Sequence, residues 1–103
     1  MTNCSKCGKQ FKTGDVTDLM AAMSGSIMGD EQTESYFYCE ECGVYTVYTY
    51  WDYFSGEESQ SVHGPVDKAK GDAQVALIRR CSEPWNKKCR CEAHQEFFGN
   101  SLD

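Results

Sequence analysis

A chain of 103 residues can bury one modest core, so one small domain is expected. Its seven cysteines are an odd number, and no charged-then-apolar leader precedes the first of them; a reducing, cytoplasmic setting is expected, with cysteines serving metal or redox chemistry rather than disulfides. A net charge of −6 opposes non-specific binding to nucleic acid or to an anionic membrane, and the apolar runs are too short to span a bilayer.

The first element is CSKCG, Cys4 to Gly8. Its tight turn lets two sulfurs converge, and the glycine after the second cysteine removes Cβ obstruction. DVTDLMAAM follows, with Val16, Leu19, Met20 and Met23 at helical spacing and Asp15 as a candidate N-cap. This pattern predicts a short helix ending at Ser24 or Gly25. SGSIMGDEQTES, from Ser24 to Ser35, reads as a polar loop in which Ile27 and Met28 are the apolar anchors.

YFYCEECGVYTVYTYWDYF carries the densest aromatic and β-branched signal in the chain. It predicts two extended arms with a second knuckle, Cys39 to Cys42, folded between them. Large side chains alternate onto both faces of the second arm, so one face needs a cover from outside the sheet's own core. SGEES is a turn, and SQSVHGPV returns antiparallel as far as Gly64 and Pro65. Val66, Ala69, Ala73, Ala76 and Leu77 then form a helical stripe across Asp67 to Arg80, with Gly71 as its weak point. HQEFFGNSLD gives one amphipathic turn anchored by Phe97 and Phe98, followed by a fraying tail.

Two residue sets carry metal chemistry. Cys4, Cys7, Cys39 and Cys42 supply four thiolates from two CxxCG pairs, which suits the closed tetrahedron of soft ligands that Zn²⁺ prefers. CSKCG and CEECG resemble zinc ribbons and rubredoxin-like modules, a resemblance confined to the first half of the chain. It implies paired knuckles at a metal with a small antiparallel sheet packed below. Iron is possible at the same sulfurs, but neither knuckle carries the proline common in rubredoxin-type motifs, which favours zinc.

The second set is Cys81, Cys89, Cys91 and His94, in the pattern C-x7-C-x-C-x2-H. Three thiolates and an imidazole have the ligand number of a second closed zinc site, and the nearby Arg79, Arg80, Lys87, Lys88 and Arg90 stabilise thiolates electrostatically. The pattern looks like a loose relative of the CCCH finger, but the gap between its second and third cysteines is shorter than that family uses. His63 is an alternative fourth ligand.

The expectation is a small metal-stabilised α+β domain, a zinc-ribbon-like antiparallel sheet with one or two short helices. The ribbon covers residues 1–66, and the helix with the second cysteine cluster covers 67–103. Its function reads as a non-enzymatic zinc-binding, protein-interaction or accessory module with two structural zinc sites. No paired carboxylates, phosphate loop or Ser/His/Asp arrangement supports a hydrolase or kinase. Competing readings are single-stranded nucleic-acid binding through Trp85, Lys87, Lys88 and Arg90, rubredoxin-like electron transfer, and a reactive thiol centre with His94 as base.

Overall fold

The computed structural model describes residues 2–12 and 17–99. Four strands, β1 (Leu19–Ile27), β2 (Asp30–Cys39), β3 (Val44–Asp52) and β4 (Glu58–Asp67), precede two helices, α1 (Lys68–Arg79) and α2 (Glu92–Phe97). The strands pair antiparallel in chain order, giving an α+β molecule built on a four-stranded meander.

The central hairpin sets the geometry. Tyr36 lies opposite Val47, Phe37 opposite Thr46 and Cys39 opposite Val44, so the second knuckle closes the β2–β3 turn. Successive side chains on a strand point to opposite faces. Tyr36 and Tyr38 of β2 therefore join Tyr45 and Val47 of β3 on one face, and Phe37, Cys39, Val44 and Tyr48 occupy the other.

Each face has its own cover. On the first, Met23 of β1, Val75 and Ile78 of α1, and Ala93 and Phe98 around α2 complete a core with the sheet tyrosines. On the second, the N-terminal segment lies over the sheet, with Phe11 stacked on Phe37 at 5.1 Å between ring centroids. The Ser5 amide also donates to Thr46 Oγ1 at 2.9 Å, seating the first knuckle on β3.

The return strand and both C-terminal helices fall where the sequence pattern places them. Asp67 caps α1 by accepting from the Lys70 amide at 2.8 Å. Gly71 is not a defect in this helix. A Cβ at this position would stand 2.0 Å from the Tyr45 ring, so glycine is what lets α1 lie against β3. The Tyr45 hydroxyl completes the contact by donating to Asp72 Oδ1 at 2.6 Å.

Two expectations are corrected. The helix expected before Ser24 is a strand from Leu19 onward; Asp15 and Val16 lie outside the described residues. Ala21, Met23 and Ile27 meet the helix-side core at a two-residue period, which competes with the helical spacing of Leu19, Met20 and Met23. Pairing with β2 decides the outcome, because the ladder runs the length of the segment from Leu19 to Ile27. The polar loop expected over Ser24 to Ser35 is mostly ladder as well. Ser24–Ile27 completes β1 and Asp30–Ser35 opens β2, leaving Met28 and Gly29 as a two-residue turn. β2 bonds to neighbours on both sides, so its polar residues are held by the ladder rather than by apolar burial. The expected tail falls at residues 100–103, outside the described residues.

Candidate metal centres

Each knuckle begins with a cysteine whose carbonyl is turned back on the chain. Gly8 N–H donates to Cys4 O at 2.9 Å, and Gly43 N–H donates to Cys39 O at 2.8 Å. Both glycines take positive φ, 79° and 66°, but a Cβ at either would meet nothing within 4 Å. The left-handed backbone, and not the expected steric obstruction, is the reason for glycine in CxxCG.

The meander and the Ser5–Thr46 contact bring the knuckles face to face. Cys4 Sγ lies 4.0 Å from Cys42 Sγ and Cys7 Sγ 3.9 Å from Cys39 Sγ. The four sulfurs all lie within 4.8 Å of one another. A zinc–sulfur bond of about 2.3 Å requires tetrahedral edges of about 3.8 Å, so the set could hold an ion with little movement. Cys4 and Cys39 are buried, while Cys7 is exposed, which puts the cluster at the rim of the N-terminal cover.

The second cluster is assembled by α2 and the bend after α1. Cys81 follows the last turn of α1, its amide donating to Ile78 O at 3.1 Å. Cys91 is the N-cap of α2, with its Sγ accepting from the His94 amide at 3.4 Å. Cys81 Sγ stands 3.7 Å from Cys89 Sγ and 3.1 Å from His94 Nδ1. Cys91 Sγ is 3.7 Å from the same nitrogen. For bonds of about 2.3 Å to sulfur and 2.0–2.1 Å to nitrogen, the sulfur–nitrogen edge is about 3.6 Å. The one-residue gap between Cys89 and Cys91 does not prevent convergence.

His94 is fully buried, and its other nitrogen is fixed. Nε2 lies 2.8 Å from the carbonyl of Ser24. A carbonyl only accepts, so Nε2 carries the proton and Nδ1 offers its lone pair to the cluster. A backbone carbonyl behind a ligating histidine orients the ring and raises its basicity. His63 lies elsewhere, exposed on β4, with Nε2 3.3 Å from Ser61 Oγ. Sequence reasoning missed Ser24. Its contribution is a main-chain oxygen, 70 positions from the histidine, and no side-chain pattern marks it.

The same segment covers an edge of the sheet. β1 is the outer strand, and its Ser24 amide donates to the Pro84 carbonyl at 2.8 Å. With the His94 contact, both main-chain groups of Ser24 are satisfied by the C-terminal stretch.

Without an ion, each cluster shares out its protons unevenly. Burial opposes ionisation of Cys4, but amide donors from Cys7 and Lys6 outweigh it and hold the thiol at about 6. The His94 amide does most to lower Cys91, also to about 6. Neighbouring Cys7 pushes Cys42 up to about 12, burial adding to this, and burial pushes Cys81 to about 12. Metal binds the thiolate, so an ion at either set displaces the thiol protons of its ligands. All seven sulfurs are unbridged.

Four of the basic residues around the second cluster have local partners. Lys87 pairs with Glu31, Arg80 Nη1 lies 3.5 Å from Glu96, and Arg79 donates to the Met20 carbonyl at 3.1 Å. Arg90 Nη1 donates to the carbonyls of Lys87 and Cys89, both at 3.0 Å. Lys88 is exposed, and so is Trp85, beside a shallow cleft lined by Ser24, Glu31, Thr33, Asn86 and Lys87. Among the described residues, no helix is long and apolar enough to cross a membrane.

In comparisons with protein-family models, curated proteins and solved structures, nothing matches this chain. Its functional reading rests on the geometry of the two clusters.

Proposed function

We propose that the chain is a non-enzymatic module that holds two structural zinc ions and works through contacts with another protein. The observation that carries this reading is the closure of both ligand sets. Each offers four donor atoms gathered within 4.8 Å, a full tetrahedral complement that reserves no position for substrate. The mixed thiolate–imidazole set at Cys81, Cys89, Cys91 and His94 suits zinc. At Cys4, Cys7, Cys39 and Cys42, zinc is preferred and iron is the alternative, because the same sulfurs serve either metal. The likeness of the first cluster to zinc ribbons and rubredoxin-like modules belongs to this proposal, as does a reducing, cytoplasmic setting.

Elemental analysis of the purified protein with metal-to-chain stoichiometry tests the reading. Two tightly held zinc ions and a colourless protein are expected. A single loosely bound ion would overturn it, and visible absorption of a ferric–sulfur centre would reassign the first cluster to electron transfer.

A single-stranded nucleic-acid role through Trp85, Lys87, Lys88 and Arg90 is the weaker alternative. The ion pair of Lys87 and the carbonyl bonds of Arg90 reduce the charge available to phosphate. Titration with labelled RNA and DNA oligomers at low salt decides it.

A further inference from the structure

Two turns meet at the end of the sheet opposite the β2–β3 knuckle. One is Met28–Gly29; the other, between β3 and β4, contains Phe54. The Phe54 amide donates to Asp30 Oδ1 at 2.9 Å, and a Cβ on Gly29 would lie 3.7 Å from the Phe54 ring. The turns therefore bring two large apolar residues to one tip, Met28 at 86% and Phe54 at 88% exposure. Single exposed apolar residues are ordinary; here two stand on adjoining turns at one tip.

Turn chemistry sharpens the point. Met28 and Gly29 both have positive φ, 52° and 87°, as a tight hairpin turn of this hand requires. Asparagine, aspartate or glycine suits the first position, whereas the Cβ and chain of methionine disfavour it. A residue that breaks a local folding rule while facing solvent points to a role other than folding.

The surrounding charge indicates what binds. Asp30, Asp52, Glu57 and Glu58 belong to the strand ends and turn at this tip; the sequence has no lysine or arginine between Lys12 and Lys68, and Lys87, which reaches Glu31 beside Asp30, is paired there. The Tyr50 phenol is raised to about 12, first by its hydrogen bond to Glu58, then by burial and the charges of Glu58 and Asp52.

We infer that this tip docks a basic amphipathic segment of a partner protein, whose apolar residues cover Met28 and Phe54 while its lysines or arginines meet the acidic rim. This rests on the reading of the chain as a protein-interaction module. A second copy docked tip to tip would oppose like charges, and the same rim repels an anionic lipid surface.

The test is a titration of isotope-labelled, metal-loaded full chain with a lysine–leucine peptide whose leucines line one helical face. A glutamate–leucine counterpart and phosphatidylglycerol vesicles are run alongside. Amide shifts centred on Gly29, Asp30 and Phe54 are expected with the lysine peptide alone, weakening as salt rises. Combining Met28→Asn with Phe54→Ser should weaken binding at least about tenfold without changing net charge. Asparagine suits the turn, so Met28→Asn alone should not lower the denaturation midpoint. Unchanged affinity in the double variant, vesicle binding, or a self-association abolished by the double variant would overturn the tip assignment. Shifts confined to another surface would overturn it too, yet leave a protein-interaction role standing. Shifts nowhere would overturn the tip assignment alone, and metal content measured on the same sample reports separately on the zinc sites.

Discussion

Gly71 and Glu34 show how single positions are tied to the fold. On helix propensity alone, Gly71→Ala should stabilise α1 by roughly 1 kcal/mol. The Tyr45 ring occupies the space that the methyl group needs, so the expected outcome is instead a loss of about 1–3 kcal/mol in denaturant unfolding. A neutral result would mean that α1 does not press on Tyr45. Glu34 gives a pH test. Burial raises its carboxyl above 4.5, with His63 and Thr49 partly offsetting this. A raised folded-state value favours the protonated form, so its contribution is fully present below 4.5 and lost as pH rises through the folded-state value. Glu34→Gln should therefore raise the thermal midpoint at pH 7, and the gain should shrink as pH falls toward 4.5.

Among elements, the sheet separates the two clusters. Cys4 and Cys39 belong to the core on the Phe37 face, and Cys81 to the core under α1 and α2. Cys42→Ser should remove one equivalent of metal and leave the other, as read by native mass spectrometry, and His94→Ala should do the converse. Loss of both ions from either variant would show that the faces fold as one metal-dependent unit. Legibility in the sequence divides along similar lines. The β2–β3 arms, the return strand and α1 were readable because their aromatic alternation, turn residues and alanine stripe agree with the contacts they make. β1 was not, because LMAAM satisfies a helical spacing and the pairing that overrides it comes from β2. The two candidate clusters were legible from cysteine spacing. The Ser24 carbonyl behind His94 was not, since it belongs to a main-chain position far away in the chain.

For the whole molecule, folding should draw on metal binding at both sites. The two cores are small, and each has cysteines of a candidate site built into it. In a domain of this size, ligand binding to the folded form alone contributes directly to stability. Removal of both ions by chelation should unfold the chain, with loss of sheet signal by circular dichroism and recovery on adding back Zn²⁺. Retention of the native spectrum after complete metal removal would reduce the ions to surface occupants. The C-terminal cluster has one further consequence. Through His94, with Pro84 of the same stretch, it engages both main-chain groups of Ser24 and blocks that point on the open side of β1, where a strand from another molecule would otherwise add. A protein that loses this clasp presents a template for edge-to-edge growth, so oxidation or metal starvation should show first as aggregation rather than as lost binding.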